Sequence, residues 1–254
     1  MKIVTLMENT ACREDLSCEH GLSLYLETEN HKILFDAGQS GAFAENAEKL
    51  GVDLRQVDFA VLSHGHYDHG GGLQTFLKIN GTAPVYASCH AFGLHYSTNG
   101  YIGLSPALNA SGRIVTVSQD TGLASGISLR RINRAPMDPA GLTMEEDGIR
   151  KIDDFRHEQY LLVEERGRRI LLSGCSHKGI LNIMEAFRPD ILIGGFHFMK
   201  VEETEKLAAA GRKLLEYDTV YYTGHCTGQR QYDYLKTVMG EKLHYIAAGT
   251  VFEI

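Results

Sequence analysis

The chain has 254 residues, 43% hydrophobic and 22% charged. That is enough for a sizeable α/β core, and the composition is too ordinary for a disordered or fibrous protein. Its 32 acidic residues outnumber 25 basic ones, for a net charge of -7. The nearest basic clusters, Arg130–Arg131 and Arg166–Arg168–Arg169, are short enough to be solvated turn charges, so no nucleic-acid surface is expected.

Cys12, Cys18, Cys89, Cys175 and Cys226 are odd in number, irregularly spaced and free of any C-x-x-C pair, unlike a secreted disulfide framework. The opening MKIVTLMENT has too short an apolar run for a signal peptide. No run reaches the ~18 apolar residues of a membrane span. A cytoplasmic protein without a membrane partner is expected. No linker or repeat divides the chain, so 1–254 reads as one domain.

In chain order, KIVTL (2–6), LSLYLE (22–27) and KILFDAG (32–38) read as strands, the last two joined through the turn TENH. A helix is expected from Ser40 to Leu50, with Ser40 as N-cap and Gly51 as the stop. The apolar run FAVLS (59–63) reads as a buried strand that delivers the chain into HGHYDHGGG. A helix through Leu73, Phe76 and Leu77 and the strand APVYAS (83–88) follow. Within 90–157 only RIVTVS and ISLRRI read as strands; the Gly-, Asn- and Ser-rich remainder is unassigned, either a lid or pocket wall or irregular filler.

The second half alternates. QYLLVEE and RRILLSG form a hairpin around Arg166–Gly167. A helix over 178–188 carries Ile180, Ile183, Met184 and Phe187 at i, i+3, i+4 and i+7. Strand DILIGG, helix 201–217, strand TVYYTG, helix 229–239 and strand KLHYIAA complete it. This order predicts an α/β four-layer sandwich: two mixed sheets packed face to face, with helices on both outer faces.

His64-Gly65-His66-Tyr67-Asp68-His69 packs three imidazoles and a carboxylate into six residues after an apolar strand. Such groups suit zinc and related divalent metals. In an extended or turning segment His64 and His66 share a side, while Asp68 and His69 can face a second ion. A solvent-exposed His-rich turn is the plainer alternative. Three further histidines stand just beyond apolar strands: His177 in GCSHKG, His197 in GGFHF and His225 in TGHCTG. Strand C-termini line ligand crevices in open α/β sheets. Any one of these histidines alone would equally suit a core or loop role.

HGHYDHGGG resembles the H-x-H-x-D-H motif of the metallo-β-lactamase-fold hydrolases. EHGLSLYLE, GCSHKG, GGFHF and TGHCTG further resemble the dihydropterin-ribofuranosylaminobenzene-phosphate synthase-like branch. The resemblance implies that fold and a dinuclear site. His64, His66 and a later His, best matched by His177, would hold one ion. Asp68, His69 and a last His, best matched by His225, would hold the other. Asp36 in LFDAG would orient a ligand without binding metal. Cys175 stands where many members carry a bridging Asp. Either its thiolate is a ligand or water bridges alone, and the second is preferred because His177 can reach instead.

The expected cofactors are two divalent ions, zinc first, with manganese or iron as alternatives. The expected activity is hydrolysis of a small, anionic phosphoester or phosphodiester-type substrate, pterin-related by resemblance. In that reading Asp68 orients the nucleophile and His197 contacts the substrate anion. Hydrolysis of a carboxylic ester, lactone or thioester, an iron redox protein and a metal-binding module without chemistry are the competing readings. His20 and Asn9 flank the first strands and are candidate pocket residues or structural ones. His31, His90, His95, His157 and His244 receive no role, although His90 and His95 lie near helical spacing. Cys226 suits an inert buried thiol. Sequence leaves the oligomeric state open.

Overall fold

The computed structural model describes residues 1–136 and 141–254. Residues 137–140, part of the unassigned 90–157 stretch, lie outside the described residues. The chain clusters into two compact units. The first comprises the described residues of Met1–Gln119, Pro139–Gln159 and Ala247–Ile254; the second, those of Asp120–Asp138 and Tyr160–Ile246.

The first unit is built on a seven-stranded mixed sheet in the order Val251–Glu253, Lys2–Met7, Ser23–Glu27, Lys32–Phe35, Phe59–Val61, Val85–Ser88, Ile114–Val117. Its first four strands pair antiparallel, with Glu27 opposite Lys32 across the expected hairpin. Thr28 Oγ1 accepts from the His31 amide at 2.9 Å and ties that turn. From Lys32–Phe35 onward the pairing is parallel. These strands are apolar because they are covered: all of Phe59–Val61 is buried. Helices Ala42–Lys49 and Leu73–Ile79 place Phe43 and Phe76 in one core with Leu34 and Leu62.

Ser40 does not cap the first helix as expected. Gly41 holds the N-cap, and Ser40 Oγ instead donates to Glu19 Oε2 at 2.7 Å and accepts from the Ala42 amide. The stretch that sequence left open contains a four-stranded sheet, Ile149–Ile152, Thr143–Glu146, Leu94–Ser97 and Gly100–Tyr101. Its strands are two to four residues long, too short for periodicity to show. His95 therefore lies on a strand, and its spacing from His90 has no helical meaning.

The second unit repeats the plan. Its seven strands run Leu243–Tyr245, Val220–Thr223, Ile191–Ile193, Arg168–Leu172, Tyr160–Glu165, Ile127–Arg130, Thr121–Ala124. The first four are parallel and the rest antiparallel. Arg166 and Gly167 both have positive φ, as a tight two-residue hairpin turn demands. Helices Ile180–Phe187, Thr204–Leu214 and Gln229–Met239 pack Ile183, Met184, Leu214 and Leu235 into this unit's core. The middle helix is shorter at both ends than the 201–217 expected. No helix among the described residues is long and apolar enough to cross a membrane.

Candidate metal centre

In each unit the chemically active side chains follow the C-terminal ends of parallel strands. In the first unit, Lys32–Phe35 ends at Asp36, and Phe59–Val61 runs into Ser63 through His69. Asp36 is fully buried and accepts three hydrogen bonds: from the Ser63 amide, Ser63 Oγ and His69 Nδ1, each at 2.7 Å. Ser63 Oγ also lies 2.8 Å from His64 Nδ1.

A carboxylate can only accept and a serine hydroxyl has one proton. His69 Nδ1 and His64 Nδ1 are therefore both N–H donors, and each ring keeps its lone pair on Nε2. A second-layer carboxylate that fixes a ligand's tautomer in this way is typical of metal sites. His69 Nε2 lies 3.8 Å from Asp68 Oδ2. The His64 ring centroid lies 4.6 Å from that of His66 and 4.1 Å from that of His69. All four motif residues are buried. This donor set, buried imidazole lone pairs beside a carboxylate, fits a divalent cation.

Burial opposes protonation of His69, yet the charges of Asp36 and Asp68 overcome it and raise its pKa. His66 goes the other way: burial, then the neighbouring His157, drives its pKa well down. The glycine within the motif is obligatory. A Cβ on Gly65 would sit 2.1 Å from the Ala91 carbonyl oxygen.

His20 belongs to this group. Its Nε2 lies 3.3 Å from Asp68 Oδ2, and its Nδ1 lies 3.4 Å from Asn9 Nδ2. Sequence marked both residues without deciding between pocket and structure. Three others went unread. Ser63 directly precedes the motif, and its hydroxyl links Asp36 to His64. His157 and Asp153 stand about 90 residues downstream of the motif, in a segment outside any helix or strand, and pair with each other at 3.3 Å.

In the second unit, Arg168–Leu172 leads to Cys175 and His177, Ile191–Ile193 to His197, and Val220–Thr223 to His225. Cys175, His177 and His225 are buried. The rings of His177 and His197 are 4.4 Å apart. Cys226 Sγ contacts the Cys175 carbonyl at 3.5 Å, as suits a packed thiol. Ser176, His197 and His225 all have positive φ (58°, 57° and 48°), as does Asp36 (57°) in the first unit. Such strain in non-glycine residues concentrates at functional sites.

His177 and His197 border a cavity of about 360 Å³ lined also by Ile180, Phe196, Leu207 and Lys206. That size lies within the range of small-molecule sites. His31 pairs with Asp58, and His244 stacks on Tyr222.

The model of the metallo-β-lactamase superfamily matches residues 16–225. The chain is 28% identical to the 7,8-dihydropterin-6-methyl-4-(β-D-ribofuranosyl)-aminobenzene-5'-phosphate synthase of Methanocaldococcus jannaschii, over 100% of this chain and 96% of that one. It is 31% identical to an uncharacterized protein of the same archaeon, covering 89% and 90%. A crystal structure of a metal-dependent hydrolase of the β-lactamase superfamily superposes with a TM-score of 0.85 at 29% identity, covering 100% of this chain and 99% of that one. With the strand-end histidines, the Asp36-held motif and a family match over most of its length, the chain belongs to the metallo-β-lactamase superfamily.

Proposed function

We propose that this protein is a metal-dependent hydrolase of a small, anionic phosphoester or phosphodiester-type substrate, working with two divalent ions, zinc in the first instance. The observation that carries the reading is the Asp36–Ser63 network, which leaves the Nε2 lone pairs of His64 and His69 for a cation beside Asp68. His64, His66 and His177 form one proposed ligand set; Asp68, His69 and His225 form the other. Cys175 is the alternative ligand, in place of a water that bridges alone.

Bound divalent cations would supply an activated water at neutral pH and stabilise developing negative charge. The chain's own residues do the rest. Asp36 and Ser63 hold the ligand tautomers. Asp68 accepts a hydrogen bond from the nucleophilic water and orients it. His197, strained and only half-buried, donates to the substrate's anionic oxygen. The cavity beside it combines an apolar wall with Lys206 and Lys213, which suits a ring-bearing anion. The M. jannaschii synthase is named for a ribofuranosyl 5'-phosphate carrying a dihydropterin, which supports a phosphate-bearing substrate. The same name favours a second reading, a synthase reaction on such a compound.

The test is a substrate panel on metal-loaded protein: phosphomonoesters, cyclic and linear phosphodiesters, carboxylic esters, lactones and thioesters. Turnover confined to the phosphoesters and lost in His66→Ala supports the proposal. Turnover of lactones or thioesters alone rejects it.

A further inference from the structure

A second buried constellation lies in the first unit beside His66. One potential ligand atom from each of His66, His95, Asp153 and His157 lies within 4.8 Å of the others. The hydrogen bonds decide what this cluster is. Asp153 Oδ1 accepts from the Phe155 amide at 2.7 Å. Its Oδ2 faces His95 Nδ1 at 2.8 Å and His157 Nε2 at 3.3 Å. His157 Nδ1 accepts from the Gly65 amide at 2.9 Å. His157 has thus spent its lone pair on Gly65, so its proton is on Nε2, directed at Asp153. Asp153 in turn is occupied by three N–H donors. Neither group is available to a metal, and the cluster is not a third ligand set.

One lone pair is left. With Nδ1–H donated to Asp153, His95 carries its lone pair on Nε2. That nitrogen is buried and has no hydrogen-bond partner among the described residues. The His66 ring stands edge-on to it, centroids 5.7 Å apart with the planes at 70°. A neutral imidazole that gives its lone pair to a cation keeps a proton on the other nitrogen. In a buried ring that N–H needs an acceptor.

We infer that His95 is a positioning residue that accepts the N–H of His66 when His66 ligates, with Asp153 holding His95 in the accepting tautomer and His157 pinning the backbone of Gly65. The inference rests on His66 being a metal ligand, as proposed above. It gives a role to three residues from a stretch with no assigned function. It also accounts for the carboxylate buried there. Asp153 serves two imidazoles, one tied to the loop between His64 and His66 and one facing His66 itself.

The experiment measures zinc affinity by competition with a chromophoric chelator in the wild type, His95→Phe, His95→Gln and His66→Ala. Unfolding of each metal-free protein is measured alongside. In His95→Phe one metal equivalent should weaken roughly 10–100-fold while the other is unchanged. His95→Gln, which keeps an acceptor, should recover most of that loss. A folded His95→Phe with wild-type affinity at both equivalents overturns the inference. So does a His66→Ala protein that binds like wild type, and that result identifies the ligand assignment as the failure. Should His95→Phe not fold, nitrogen NMR of histidine-labelled, metal-free wild type decides. His95 protonated at Nδ1 supports the inference; His95 protonated at Nε2 overturns it.

Discussion

Asp36 shows how one residue serves backbone and chemistry together. Its positive φ turns the chain at the end of a buried strand, and its carboxylate then reaches Ser63 and His69. Asn tolerates that backbone conformation, so Asp36→Asn separates turn from charge. The amide cannot accept from all three donors. Zinc affinity measured by chelator competition should fall roughly 10–100-fold while the variant still folds. Gly65 makes a different demand. A methyl group in Gly65→Ala meets the Ala91 carbonyl at 2.1 Å. Either the loop between His64 and His66 shifts, or the protein is destabilised by about 2 kcal/mol or more. Metal stoichiometry and thermal unfolding of the variant would read both.

At the level of elements, helices should answer for stability and strand ends for chemistry. Leu214 is fully buried in the second unit's core and does not line the cavity at His177 and His197, and Tyr221 Oη donates to its carbonyl. Leu214→Ala should cost about 2–5 kcal/mol in urea unfolding and leave metal stoichiometry unchanged. The helix Ile180–Phe187 ends on Arg188 in the left-handed region, φ 45°. Glycine is the natural residue there, so Arg188→Gly should raise stability by about 0.5–1 kcal/mol, offset slightly by loss of the Arg188–Tyr217 contact. A lower midpoint for that variant would mean the contact outweighs the strain.

For the whole molecule, stability should depend on metal and on pH. A ligand that binds only the folded state stabilises it by RT ln(1 + [L]/Kd), so chelation should lower the melting temperature in a zinc-reversible way. Without metal, burial holds His157 at about 4, and His66 is shifted in the same direction. Between the ordinary histidine value near ~6.5 and about 4, the unfolded chain binds the extra proton and the native state does not. The contribution of these two rings to stability is thus full above that window and falls as pH drops through it, by about 1–3 kcal/mol from His157 alone. Urea midpoints of chelated protein from pH 7 to 4.5 would show a flat profile if the ring is not buried neutral.

The order of strands and helices was readable because apolar runs and 3.6-residue periods are local properties. HGHYDHGGG declared metal chemistry for the same reason: its donors are neighbours in sequence. The four-stranded sheet within 90–157 stayed hidden, since its strands are two to four residues long and Leu94–Ser97 finds its partner Thr143–Glu146 only about 50 residues on. Ser63, His95, Asp153 and His157 were equally unreadable. Their roles consist of which nitrogen carries a proton, and only the folded chain, by bringing a carboxylate against an imidazole, decides that.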